Sequence, residues 1–238
     1  MSILENVSRV QAQIHAAARK VGRAPEEIIL MGVTKTVEPQ RIREAYEAGL
    51  RIFGENRVQE FGEKADRLQD LNKAEWHMIG HLQTNKSAKA AELFAAIDSV
   101  DSLRLATRLN AALRELGKKS PVLIEINIGG EEAKKGLDPH SAELSNLLNA
   151  GAELSSLSIR GLMTVPPYSD DPERSRPYFR KMRELLNEIA GRKLPNVKME
   201  ILSMGMSHDF EIAIEEGATC VRVGTGIFGE RPVPRSKD

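Results

Sequence analysis

The sequence predicts a single parallel (β/α)8 barrel, and three observations carry that prediction. Short runs rich in β-branched or apolar residues alternate with longer stretches of helical spacing, eight times over. No composition break or low-complexity linker interrupts the alternation. The chain has 238 residues, close to the roughly 250 of such a barrel. This leaves one domain over residues 1–230 and a short C-terminal tail over 231–238. An open doubly wound sheet is the runner-up, and no repeat supports a solenoid.

The N-terminal MSILENVSRVQAQIHAAARK has the spacing of an amphipathic helix and no apolar core of a signal peptide. The first strand is IILMGVT (28–34). VEPQRIREAYEAGL then predicts a helix, with Pro39 in its first turn and Gly49 as its C-terminal cap. RIFGE (51–55), WHMIG (76–80), AAIDSV (95–100), VLIEINI (122–128) and IRGLMTV (159–165) supply the next five strands. DPERSRPYFRKMRELLNEIAG predicts a helix with Asp171 as N-cap, Pro172 behind it and Gly191 as the stop. KMEILSM (198–204) and TCVRVG (219–224) complete the eight.

Lysines and arginines number 34, as do aspartates and glutamates, so no net field points to nucleic acid or an anionic membrane. A small-molecule partner is expected. The single cysteine, Cys220, excludes an intramolecular disulfide framework, agrees with a reducing compartment and reads as a small buried strand residue. No apolar stretch approaches the roughly 18 residues of a membrane span. A cytoplasmic protein is therefore expected.

In such a barrel the chemistry gathers at the C-terminal ends of the strands. The first strand delivers Lys35, the second Asn56, the third His81, the fifth Asn127, and the sixth Met163 and Thr164. The seventh delivers Ser203 and Ser207, and the eighth Arg222, Gly224 and Thr225. Lys35 directly after an apolar strand is unusual, because an ammonium is costly beside strands buried on both faces. By its own position it could equally open a solvated loop. In a partly dry mouth, however, its charged form is disfavoured and the free amine can attack an aldehyde. Ser207 and the GTG of residues 224–226 occupy the two loops where barrels commonly bind phosphate through backbone N–H groups. A carbonyl-reactive lysine facing a phosphate cradle describes a pyridoxal phosphate site.

Other patterns are weaker. Residues 224–229 spell GxGxxG, but a dinucleotide turn needs a following strand and an acidic residue about 20 positions on, and nine residues follow Gly229. His77 and His81 in HMIGH lack the glutamate of a zinc-protease helix. His77 is expected to pack or face solvent, His81 to touch the rim, and no metal is expected. EEAKKG (131–136) reads as a solvated loop rather than a ligand contact, and Met204 and Met206 as packing around the mouth.

GVTKTV, FGENRVQE, WHMIGHLQTNK, GLMT, LSMGMSHD and RVGTGIFG, in this order between residues 32 and 229, resemble the pyridoxal phosphate homeostasis proteins. The resemblance implies the barrel of alanine racemase's N-terminal domain, the third fold type of pyridoxal phosphate proteins, with pyridoxal 5'-phosphate as cofactor. It implies that Lys35 carries the cofactor as an internal aldimine and that Ser207, Gly224 and Thr225 hold the phosphate. Asn56 and Ser203 would line the ring or its surroundings, with Met163 beside them, and Arg222 would face the pyridine nitrogen. A guanidinium that keeps its proton leaves that nitrogen largely unprotonated and weakens the ring as an electron sink.

The resemblance thus implies a non-catalytic binder, without catalytic residues, that keeps the aldehyde scarce and hands it over in vitamin B6 and amino-acid homeostasis, pyridoxal-phosphate-dependent apoenzymes being the recipients. The alternative is an amino-acid racemase. Racemisation needs a second base, which alanine racemases take from a tyrosine of a further C-terminal domain of the partner subunit. That domain is not expected here, and of Tyr46, Tyr168 and Tyr178 only Tyr168 lies near the mouth, as a loop aromatic. A monomer is expected. A third reading keeps the cradle for another phosphorylated metabolite, with Lys35 as a counter-charge.

Overall fold

The computed structural model of the chain describes residues 1–131 and 134–230. The expected tail over 231–238, and Glu132 and Ala133 of the charged loop, lie outside the described residues. Eight parallel strands close into a barrel in sequence order, the eighth pairing with the first. They are β1 (Ile29–Val33), β2 (Ile52–Glu55), β3 (Glu75–Met78), β4 (Ala96–Val100), β5 (Ser120–Glu125), β6 (Leu157–Met163), β7 (Val197–Ser203) and β8 (Cys220–Val223). The helices are α1 (Ile3–Lys20), α2 (Pro39–Glu47), α3 (Val58–Ala65), α4 (Ser87–Leu93), α5 (Leu103–Glu115), α6 (Ala142–Asn149), α7 (Arg176–Gly191), α8 (Phe210–Glu215) and α9 (Thr225–Phe228).

Local chemistry explains the elements that frame the mouth. α1 begins with a reciprocal cap: Ser2 Oγ accepts from the Glu5 N–H at 3.2 Å, and the Ser2 N–H donates to Glu5 Oε2 at 2.7 Å. Its buried residues Ile3, Val7, Val10, Ile14, Ala17 and Ala18 follow the three-and-four spacing of an apolar stripe, packed on α2, α8 and α9. α2 starts at Pro39, and Gly49 at φ 98° ends it as expected.

Two sequence expectations are corrected. The fifth strand leaves the barrel at Glu125 rather than running to residue 128, because Ile126 pairs with Leu137 in the returning loop. The helix expected from Asp171 begins as a 3-10 turn, Pro172–Ser175, with Asp171 as its cap, and turns α-helical only at Arg176.

Strand alternation sorts the side chains into two layers. Ile29, Met31, Ile52, His77, Ala96, Asp98, Leu123, Ile201 and Cys220 line a small cavity of about 50 Å³ inside the barrel. Phe53, Ile97, Ile124 and Leu202, at the alternate positions, join the apolar core.

Candidate functional site

Lys35, half-buried, follows β1 between two pinned residues. Thr34 is fully buried, and its hydroxyl donates to Glu55 Oε1 at 2.6 Å. Lys64 of α3, itself buried, donates from Nζ to the Thr34 carbonyl at 2.9 Å and pairs with Glu55 at 2.8 Å and Glu60 at 3.1 Å. On the other side, the Thr36 N–H donates to Glu60 Oε1 at 2.6 Å. Thr36 sits at φ 61°, a left-handed conformation that a β-branched residue adopts only when its surroundings impose it. Burial pushes the Glu55 carboxyl above the ordinary carboxylate range, opposed by the Lys64 ammonium. The lysine thus leaves the strand on a backbone fixed from both sides, with a strained residue at its exit.

Asn56, half-buried, follows β2. A Cβ on Gly80 would stand 2.4 Å from the Asn56 carbonyl oxygen and 2.8 Å from its Cα, so the loop after β3 can cross that after β2 only at a glycine. Asn56, Arg57, His81, Gln83 and Lys86 line a cleft of about 240 Å³ there. His81 lines this cleft, its Nδ1 3.0 Å from Asp101 Oδ2.

Arg222 is almost fully buried and occupies the centre of the constellation. Its Nη1 donates to Ser203 Oγ and its Nη2 to the Thr164 carbonyl, both at 2.7 Å. The Thr164 hydroxyl donates in turn to the Ile126 carbonyl at 2.7 Å. Burial pulls the guanidinium below its ordinary value, resisted by Cys220, Asp98, Glu125 and Asp209, and it remains a cation at neutral pH. Strand register sets Glu125 beside Met163 and Met163 beside Ser203. Asn127, expected at the mouth, instead ties its own loop, its side-chain amide donating to the Glu131 carbonyl at 2.8 Å.

The cradle expected to take an anion lies between the loops after β7 and β8. Ser207 Oγ accepts from the N–H groups of Gly224 and Gly226, both at 3.3 Å, and exposed Thr225 opens α9 next to them. A Cβ on Gly226 would come within 2.8 Å of Val223 Cγ1 and 3.7 Å of Ser207 Oγ, so glycine keeps the cradle open. A hydroxyl and two backbone N–H groups, near a buried guanidinium, are donors of the kind that could take a phosphate ester. No sequence pattern signals what holds this loop from outside. Asn6 and Arg9 of α1 donate to the carbonyls of Ile227 and Gly226, both at 2.9 Å, and Arg41 of α2 donates to that of Phe228.

Two further groups escaped sequence reasoning. His77 packs inside the barrel among Ile29, Met31 and Ile52 rather than facing solvent, and the sequence did not show its partner: its Nδ1 is 3.0 Å from Asp98 Oδ2. Burial disfavours its charge, but the Asp98 carboxylate and, after it, that of Glu75 together outweigh this and its pKa is raised. Period-two spacing from Glu75 could have placed His77 inside, but its acidic partner on β4 is 21 residues away. Glu125, the last residue of β5, was hidden in an apolar run. Burial first, then Asp101, push its pKa up to about 7 against the pull of Arg222. Cys220 is buried as expected, and burial pushes its thiol up to about 12. Met204 is fully buried and Met206 half-buried. A crevice of about 340 Å³ at the opposite end of the barrel, lined by Ile14, His15, Pro25 and Arg51, contains none of the mouth residues. Among the described residues no group of three or more His, Cys, Asp or Glu side chains could hold a metal ion.

Fold and mouth together define a barrel of the class described as alanine racemase, N-terminal domain, which the chain matches over residues 6–232. It is 48% identical over 231 residues to the pyridoxal phosphate homeostasis protein of Aquifex aeolicus, covering 97% of this chain and 99% of that relative. It is 44% identical over 231 residues to the protein of the same name from Escherichia coli K12, covering 96% and 97%. The chain belongs to the pyridoxal phosphate homeostasis protein family. The structure of PipY from Synechococcus elongatus with PLP bound is similar, with a TM-score of 0.84 at 37% identity, covering 96% of this chain and 100% of that one. An alanine racemase of Clostridium difficile shares the fold, with a TM-score of 0.69 at 18% identity over 97% of this chain and 58% of its own.

Proposed function

We propose that the protein binds pyridoxal 5'-phosphate, holds it and supplies it to other proteins in vitamin B6 and amino-acid homeostasis, without robust catalysis. The observation that carries this reading is the buried Arg222, fixed by Ser203 and Thr164 beside an open cradle of Ser207, Gly224 and Gly226. The names of the relatives and the PLP-bound PipY structure support the same ligand.

When bound, the cofactor supplies an aldehyde that condenses with amines and a ring that withdraws electrons. Each residue has a task towards it. Lys35 Nζ is the point of covalent attachment, presented on the pinned backbone of Thr34 and Thr36. The Gly224 and Gly226 N–H groups, with the Ser207 and Thr225 hydroxyls, bind the phosphate. Arg222 would face the pyridine nitrogen of the cofactor, and because the guanidinium retains its proton it would leave that nitrogen unprotonated and so restrain carbanion chemistry. Asn56, Met163 and Ser203 border the ring, Ser203 by holding the arginine.

The reading extends to a cytoplasmic monomer whose recipients are pyridoxal-phosphate-dependent apoenzymes. It is supported by the balanced charge of the chain, and no helix among the described residues is long and apolar enough to cross a membrane. The test is spectroscopic. Protein mixed with pyridoxal 5'-phosphate should turn yellow and Lys35→Ala should not; absorbance retained in Lys35→Ala refutes the assignment of the lysine. Sustained conversion of L-alanine to the D-form by the loaded protein refutes the non-catalytic reading in favour of a racemase.

A further inference from the structure

One ionisable group in the mouth has no task in that reading. Glu125 ends β5 in register with Met163, which is in register with Ser203, the residue that holds Arg222. Two positions before it, Leu123 lines the internal cavity, so by strand alternation Glu125 also faces inward. Its Oε2 is buried with no hydrogen-bond partner. A carboxylate normally fills its acceptor sites when buried, so an orphaned oxygen aimed into a binding site marks a group that changes protonation or gains a partner there.

We infer that Glu125 is the proton acceptor of the mouth: an anionic ligand enters together with one proton, which Glu125 takes from solvent and holds while the ligand stays. This rests on the reading of the mouth as a pyridoxal phosphate site. A phosphate dianion adds like charge to a carboxyl already disfavoured as an anion by burial and by Asp101. The proton is therefore bound more tightly in the loaded protein, and by linkage the ligand is held more tightly at lower pH. With the free carboxyl at about 7, uptake begins near neutrality, and retention weakens as pH rises from there towards the higher value of the loaded state. A shift of one unit on binding changes affinity about tenfold across that window.

The other charges facing Glu125 are known. Arg222 of β8 opposes its protonation and Asp101 after β4, bonded to His81, favours it. Asp98 of β4 is paired with His77 of β3. Glu131 and Lys134 pair with each other in the loop after β5. Asp209 after β7 is bonded to Ser175 and the Met206 N–H, Cys220 is a neutral thiol, and Lys35 stands across the barrel, after β1. All of these remain in Glu125→Gln, so the difference between the two proteins reports Glu125 alone.

The experiment titrates wild type and Glu125→Gln with pyridoxal 5'-phosphate at pH 8 in buffers of different ionisation enthalpy. Wild type should take up about half a proton more than Glu125→Gln does, and the ratio of their affinities should change about tenfold between pH 6 and pH 9. Infrared difference spectra of wild type labelled with 13C-glutamate give a second readout: binding should produce a protonated-carboxyl band. That band decides the matter if Glu125→Gln does not fold, its absence overturning the inference. Equal proton uptake by both proteins overturns it as well and leaves the cofactor reading intact. Failure of wild type to bind at all overturns the cofactor reading, and this inference with it.

Discussion

Replacing Lys64 by methionine tests whether the segment carrying Lys35 is held by a buried charge pair. Lys64 Nζ lies 2.8 Å from Glu55 Oε1 and 2.9 Å from the Thr34 carbonyl, and Glu55 is fully buried with Oε2 lacking any partner. Methionine fills most of the same volume, so the loss is chiefly the charge. Removing one partner of a buried pair costs about 3–5 kcal/mol, or about 6–20 °C in Tm for a domain of this size. The fold can escape the uncompensated charge by protonating Glu55. From its ordinary value of 4.5, that route limits the charge cost to about 5 kcal/mol at pH 8 and about 1.4 kcal/mol at pH 5.5. The sign follows from the raised carboxyl: the folded state binds the proton more tightly than the unfolded one, so its relative stability grows as pH falls through the folded pKa towards 4.5. Urea unfolding at both pH values measures the difference. Lys64→Met should be much weaker than wild type at pH 8, close to it at pH 5.5, and largely restored by adding Glu55→Gln. A loss below about 1 kcal/mol at pH 8, or an equal loss at both pH values, refutes the charge argument.

Gly80→Ala drives a methyl group into the Asn56 backbone and should cost about 1–3 kcal/mol, with reduced pyridoxal phosphate absorbance at limiting ligand as the functional readout. Arg9→Ala removes a donor to the Gly226 carbonyl from the exposed surface of α1. Stability should fall by only about 1 kcal/mol, while phosphate-ligand affinity measured by titration drops severalfold without the loss of any direct contact. Asp98→Asn removes the carboxylate that raises His77, so the imidazole should titrate lower by NMR. Because the folded pKa of His77 is raised, the stabilisation is full below the ordinary value of 6.5 and fades as pH rises through the folded value. Asp98→Asn should therefore lose more stability at pH 6 than at pH 8.

Parallel strands buried on both faces read as apolar runs, which is why all eight could be located from the sequence and why the residues at their ends followed. The limits are physical as well. VLIEINI continues as an apolar run past Glu125, but there the chain pairs through Ile126 with Leu137 of the returning loop, so the run overstates the strand and conceals the carboxyl at its end. Ser203 and Arg222 were legible as strand-end polar residues; that the serine is fully buried beneath the arginine depends on the closure of β7 against β8. The supports of the site were invisible for the same reason. Arg9 and Gly226 are 217 residues apart, and Lys64 and Thr34 are 30 apart, distances over which local pattern carries no signal.

Those supports also bear on the proposal of a holder rather than a racemase. Arg222 spends one donor on Ser203 and another on the Thr164 carbonyl, which fixes the guanidinium in place and in its charged state. A second base would have to face the ligand from the opposite side. Tyr168, in the loop after β6, lies against His208, the neighbour of Ser207, its ring tilted and the centroids 5.3 Å apart. It is 75% exposed, and its hydroxyl donates to Asp170 at 3.1 Å, a bond to a carboxylate that raises its pKa. A solvated phenol held in its neutral form beside an anion is a poor proton acceptor at neutral pH. The loop that carries Ser207, Gly224 and Gly226 is held from several sides, while the Tyr168 hydroxyl is engaged with Asp170.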